Sequence, residues 1–114
     1  MVSRMEVLMP DTTQLAFRAL ADPTRRDILK MLTERDMTIA DVSDRFAMTR
    51  AAVKKHLTVL SDGGLITVTP RGRERVNAIN PKGFAPALSW FEYFDSFWDE
   101  RLAALKTAIE KDKT

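Results

Sequence analysis

The stretch Thr49-Arg50-Ala51-Ala52-Val53-Lys54-Lys55-His56-Leu57-Thr58-Val59-Leu60-Ser61-Asp62-Gly63-Gly64 decides how the chain is read. Thr49 is a good N-cap and the two glycines are a helix stop, so a helix is predicted from Thr49 to Asp62. At about 100° per residue, Val53, Leu57 and Leu60 share one side, while Arg50, Ala51, Lys54, Lys55 and Thr58 lie opposite. One face anchors the helix and the other is free. The free face carries cations, hydroxyls and a small residue near the helix N-terminus. That lets a backbone approach the major groove while side chains reach base edges and phosphates. An amphipathic helix kept soluble by its lysines would share this composition.

Just upstream, Thr38 and Asp41 form a capping-box pattern with Asp in place of Glu, and Ile39, Val42 and Phe46 recur at helical spacing. Ala47-Met48 then leaves a tight link, so two short helices meet at a turn. Further back, Thr12 or Thr13 is expected to cap a helix containing Leu15, Phe17, Ala19 and Leu20. Asp22-Pro23 stops it and starts another, from Pro23 to Glu34, with Ile28, Met31 and Leu32 on one side. Downstream of the glycines, Ile66–Thr69 and Val76–Ile79 alternate as half-buried strands about a turn, Pro70 to Glu74, which makes a β-hairpin. Arg71, Arg73 and Arg75 alternate along its tip and outgoing strand, and are expected to point to a common side.

The charge distribution follows this layout. Net charge is only +2, yet residues 45–75 carry 7 basic and 2 acidic groups, against 6 and 8 before them and 5 and 6 after. Such a concentrated basic segment suits a polyanion, although a solvated basic surface gives the same pattern. At 114 residues one domain fits. With no cysteine, disulfides, thiolate metal sites and thiol sensing are excluded. Met1 to Pro10 has scattered apolar residues broken by Arg4 and Glu6, and no apolar run reaches membrane-spanning length. Neither a signal peptide nor a membrane span is expected, and the cytoplasm is the expected location. There is no phosphate-binding glycine loop and no nucleophile-base arrangement, so no enzyme activity and no cofactor are expected. The single histidine, His56, lies beside the apolar stripe and reads as packing or phosphate support rather than as a metal ligand.

Taken with Ala19-Leu20-Ala21-Asp22-Pro23-Thr24-Arg25-Arg26-Asp27-Ile28-Leu29 and Gly63-Gly64-Leu65-Ile66, the segment Thr49 to Leu57 resembles the ArsR-type winged-helix repressors over residues 12–110. The resemblance implies a mainly α fold with a small β-hairpin, a winged helix-turn-helix whose long C-terminal helix serves dimerisation. It further implies that Thr49, Arg50, Lys54, Lys55, His56 and the wing arginines Arg71, Arg73 and Arg75 face DNA, joining Ala51 and Thr58 from the helical-face reading. Metal-sensing members carry cysteines where this chain has Thr38 and Ala40, so the resemblance is to the subgroup without metal sites. Glu92, Asp95 and Asp99 share a side of the last helix, read as a solvated acidic face.

The C-terminal segment supports dimerisation independently. Asn80-Pro81 starts it, with Gly83 and Pro86 disturbing its first turn, and residues 83–112 as one helix would extend about 45 Å. Phe84, Phe91, Phe94, Trp98, Leu102, Leu105 and Ile109 form one stripe, with Trp90, Tyr93, Phe97, Ala104 and Ala108 beside it. Trp90, Phe94, Phe97, Trp98 and Leu105 are therefore the expected dimer contacts. The chain thus reads as a single domain over 1–114, with a winged core at 12–80 and a dimerisation helix at 81–112. Its expected role is that of a homodimeric regulator of double-stranded DNA, probing an inverted repeat as a repressor. A ligand-responsive repressor and a winged-helix module that binds protein instead of DNA are the competing readings.

Overall fold

The computed structural model describes residues 11–112, so the reading of Met1 to Pro10 as lacking a signal peptide lies outside the described residues. Helix boundaries fall where capping chemistry puts them. Helix α1 (Thr12–Leu20) is capped by Asp11, whose carboxylate accepts from the Gln14 amide at 2.7 Å. The cap is therefore one residue earlier than the threonines expected, because a carboxylate satisfies an orphan N–H well. Asp22 caps α2 (Pro23–Glu34), with the proline at the first helical position. Helix α3 (Ile39–Arg45) has the reciprocal capping box: Thr38 Oγ1 accepts from the Asp41 amide, and Asp41 accepts from the Thr38 amide at 3.0 Å. Those bonds hold the Asp41 carboxyl below its ordinary value of 3.8, chiefly through the Thr38 backbone N–H. Helix α4 (Arg50–Asp62) starts at Thr49 and stops at Gly63, after which Gly64 takes φ +76°.

A three-stranded antiparallel sheet has the order β1-β3-β2. Strands β2 (Ile66–Arg71) and β3 (Glu74–Ile79) pair from Ile66↔Ile79 to Arg71↔Glu74. The wing is thus longer than expected and its turn shorter, only Gly72 and Arg73, with Gly72 at φ +63°. Pro70 is accommodated because β2 is an edge strand. Strand β1 (Met37–Thr38) was not expected; it pairs with Asn77 and Val76. The buried Asn77 amide donates to the Met37 carbonyl at 3.1 Å, which ties the wing to the start of α3.

Ala16 and Ala19 of α1, Ile28, Leu29 and Leu32 of α2, Val42 of α3, and Val53, Leu57 and Leu60 of α4 meet Met37, Leu65 and Ile66 in one core. Every member of α4's predicted apolar stripe is in it. The chain then returns to the end of α4: the Asn80 side chain donates to the Gly64 carbonyl at 2.9 Å, and the Asn80 amide donates to the Leu65 carbonyl. A β-carbon at Gly83 would collide with the same Gly64 carbonyl, so only glycine permits this approach.

A short 3₁₀ turn (Pro81–Phe84) leads into α5 (Ala85–Glu92) and then α6 (Asp95–Asp112). The single C-terminal helix expected from residue 83 onward is therefore broken. The Phe94 amide turns to the Phe91 carbonyl, a three-residue closure that interrupts the helical ladder at Tyr93-Phe94. Helix α5 packs on α1, where Phe17 meets Trp90 and Phe91 edge-on at 5.6 and 5.8 Å. Helix α6 buries none of its residues and extends the molecule to 66 × 42 × 22 Å.

Candidate nucleic-acid interface

Helix α3, the turn Phe46-Ala47-Met48 and α4 make a helix-turn-helix, with the Ser43 hydroxyl donating to the Met48 carbonyl across the turn at 3.1 Å. Burial of Val53, Leu57 and Leu60 turns the opposite side of α4 outward. Arg50, Lys54 and Thr58 follow one another at intervals of four residues and so stand in a slowly turning line along the exposed edge beside Leu57. The wing approaches the same side. Between them lies an open groove of about 640 Å³ whose walls include Arg50, Lys54 and Thr58 from α4 and Arg73 and Arg75 from the wing.

Its floor brings in residues that no local pattern singles out. Thr38, Ile39 and Ala40 at the start of α3, Ser61 and Asp62 at the end of α4, and Val68 and Asn77 of the sheet line the groove. Only strand pairing between β1 and β3 places the start of α3 there, and a two-residue strand leaves no legible period.

The predicted residues do not all converge. Ala51 and Lys55 are exposed on α4 beside the groove. Thr49 is exposed, with its hydroxyl accepting from the Ala52 amide at 3.2 Å as the helix cap. Thr58 donates to its own helix at the Lys54 carbonyl. Arg71 parts company with the other wing arginines. It pairs with Glu74 and therefore faces opposite to the Pro70–Arg75 pair, because successive strand residues alternate sides. The common side expected for the three arginines holds for Arg73 and Arg75 only. His56 is partly buried, with Nδ1 3.4 Å from Arg25 Nη1 and 3.8 Å from an Asp22 carboxylate oxygen, so it faces the α1–α2 junction.

Four cations, Arg50, Lys54, Arg73 and Arg75, and two carboxylates, Asp62 and Glu74, line the groove, which leaves it net positive. Among the described residues, Arg50, Lys54, Lys55, Arg73 and Arg75 have no carboxylate within 4.0 Å, whereas Arg35 pairs with Asp41 and Arg45 with Glu34 elsewhere. Unpaired guanidinium and ammonium groups lose no partner when they meet a phosphate. No group of three metal-ligating side chains occurs among the described residues, and no helix there is long and apolar enough to cross a membrane.

The expected dimer residues cluster at the other end. Trp90, Phe97, Trp98 and Leu105 are between 43% and 57% exposed, a large apolar surface for so small a chain. Phe94 is partly covered by Trp90, at 4.8 Å between ring centres, and Arg101 stacks over Phe97 at 5.1 Å.

Comparison with known proteins agrees with this geometry. The family model of a helix-turn-helix domain matches residues 20–69, which run from the end of α1 into β2. The chain is 31% identical over 97 residues to the HTH-type transcriptional regulator Rv2034 of Mycobacterium tuberculosis, covering 85% of this chain and 88% of the relative. It is 29% identical over 86 residues to the transcriptional repressor SdpR of Bacillus subtilis, covering 75% and 96%. An ArsR-like transcriptional regulator from Rhodococcus sp. RHA1 superposes with a TM-score of 0.71 at 31% identity, over 88% of this chain and 92% of that one. At 31% identity over most of both chains and with a shared fold, the chain belongs to the ArsR family of winged helix-turn-helix transcriptional regulators.

Proposed function

We propose that this regulator represses transcription as a two-fold homodimer that reads an inverted repeat in duplex DNA with α4 and the β2–β3 wing. The observation that carries the reading is the cationic groove, where Arg50 and Lys54 of α4 meet Arg73 and Arg75 of the wing with no described carboxylate partner. A helix in the major groove supplies base readout, while an adjacent hairpin reaches the neighbouring backbone. Likeness to a named repressor supports the sign of regulation.

Support for the dimer comes from α6. Trp98, Leu102, Leu105 and Ile109 are spaced by four, three and four residues, and all are about half exposed. That is a coiled-coil seam without a partner. An antiparallel second copy would set Trp98 against the partner's Ile109 and Leu102 against the partner's Leu105. Asp99 would then face the partner's Lys106. A parallel pair would instead set Arg101 against the partner's Lys106, two like charges, so charge selects the antiparallel arrangement.

A ligand-responsive repressor is the second reading. An open hollow of about 570 Å³ lined by Asp11, Thr13, Gln14, Phe17 and Trp90 lies beside the aromatic surface and favours it. Selection of bound sequences from a random duplex pool tests the main reading. Enrichment of two half-sites in inverted orientation, one or more helical turns apart, is the expected result. A folded dimer that enriches nothing would overturn it. A thermal shift with a small apolar molecule, lost on Trp90→Ala, would favour the second reading.

A further inference from the structure

Arg25 and Arg26 stand at the start of α2 (Pro23–Glu34), where the helix dipole makes cations unfavourable. The structure gives both a different task. Arg26 Nη1 donates to the Leu20 carbonyl at 2.7 Å, while Arg25 donates from Nε to the Ala19 carbonyl at 2.8 Å and from Nη2 to the Arg18 carbonyl at 2.9 Å. These carbonyls lie in the last turn of α1, where a cation is favourable; that of Arg18 also accepts from the Ala21 amide at 3.3 Å. Both arginines therefore close the same helix end.

Only Arg25 goes further. Its remaining terminal nitrogen, Nη1, lies 3.4 Å from His56 Nδ1 in the middle of α4. A guanidinium has donors and no acceptor, so in this contact Nδ1 is the accepting atom. The Asp22 oxygen 3.8 Å from the same ring nitrogen already accepts from the Arg25 backbone N–H at 3.1 Å. Arg25 is thereby fixed at both its backbone and its side-chain end.

The apolar contacts of Val53, Leu57 and Leu60 set which side of α4 is buried, but being non-directional they leave its fine rotation about the axis to packing alone. Rotation matters here because Arg50, Lys54 and Thr58 form a single line along that axis. Among the described residues, His56 supplies the only side-chain polar contact from α4 to another helix.

We propose that Arg25 is a positioning residue for DNA reading: it bolts the C-terminus of α1 to the recognition helix through His56 and fixes which line of α4 faces the duplex. The proposal rests on the DNA-binding reading above and assigns His56 to this joint rather than to the phosphate-contacting set. Sequence discrimination depends on this rotation. Non-specific attraction to phosphates does not, since the cations stay on the same side of the molecule within a few degrees of turn.

The test compares dissociation constants for a selected duplex and a scrambled duplex of equal length over a salt series. It uses the full chain and its Arg25→Lys, Arg26→Lys, His56→Leu and His56→Asn variants, each checked for a cooperative melt. Loss of a charge-assisted hydrogen bond sets the scale, about tenfold in the ratio of the two constants. Arg25→Lys and His56→Leu should each lose about that much discrimination with scrambled-duplex affinity and salt slope unchanged. Arg26→Lys closes the same helix end without reaching α4 and should keep the wild-type ratio. His56→Asn, whose amide oxygen can accept where Nδ1 does, should recover most of it.

Because His56→Leu acts from the opposite side of the contact, an Arg25 variant that does not fold still leaves the proposal exposed to refutation. Unchanged discrimination in His56→Leu, or equal losses in Arg25→Lys and Arg26→Lys, would overturn it. A wild-type chain that does not distinguish the two duplexes would overturn the DNA-reading function itself and this proposal with it, whereas intact discrimination in the variants would sink this proposal alone.

Discussion

At the scale of residues, Arg50 and Arg73 face the same groove from different scaffolds, and their substitutions should have different signatures. Arg50 stands in the first turn of α4, where a guanidinium reaches base edges. Arg50→Ala should therefore cost about 1–3 kcal/mol on the selected operator and relax preference at one position of the site. Arg73 sits in a two-residue turn at the end of a hairpin. Arg73→Ala should weaken all duplexes alike and lower the salt slope by about one. Titration of each variant against several sequences at several salt concentrations distinguishes the two, and uniform losses for both would refute the division. The α4 face was legible in the sequence because helical period alone turns Lys55 and Thr58 away from Val53 and Leu60. The separation of Arg71 from Arg73 and Arg75 was not, because it depends on where the turn falls. A loop ending at Gly72-Arg73 reverses the side expected for a residue on the incoming strand. The Arg25–His56 contact spans thirty-one positions, and no local pattern announces it.

Among elements, α2, α3 and α4 were readable almost to the residue because their ends are set by neighbours in sequence: Asp22-Pro23, the Thr38/Asp41 box, and Thr49 with Gly63-Gly64. The break between α5 and α6 was not readable, since Tyr93-Phe94 contains neither proline nor glycine and aromatic residues continue a helical pattern without comment. The cap of α3 offers a test in pH. The Asp41 carboxyl is held below 3.8 by the Thr38 amide, and a lowered folded-state value stabilises the fold when the group is ionised. That contribution is complete above the ordinary value and declines as pH falls through the lower folded one. Asp41→Asn should therefore melt below the wild type at pH 7, with the gap closing below about pH 3.8. A gap that stays constant across acid titration would show that the capping charge is immaterial. Since the start of α3 lines the groove, loosening it should also lower operator affinity.

For the whole molecule, the two ends differ in character: a net-positive groove at one, an uncovered aromatic and aliphatic helix at the other. If α6 pairs antiparallel with a second copy, Asp99→Lys or Lys106→Asp alone should weaken the dimer several-fold, up to about tenfold, by setting like charges opposite each other, and the double exchange should restore it. A parallel pair predicts that Lys106→Asp alone tightens association, because it removes the clash with Arg101. Sedimentation equilibrium on the four proteins decides between them. The charge code was in the sequence, but it could be extracted only once α6 was known to start at Asp95 and to leave its own core bare. That bareness has a quantitative outcome for control. If, as proposed, α6 is covered only when two copies assemble, the DNA reader forms in a second-order reaction. When chains are scarcer than the dimer's dissociation constant, a tenfold dilution removes about a hundredfold of the reader. Abundance then works as an input to the genetic circuit, and a gene under this regulator would switch over a narrower range of chain copy number than any monomeric reader allows.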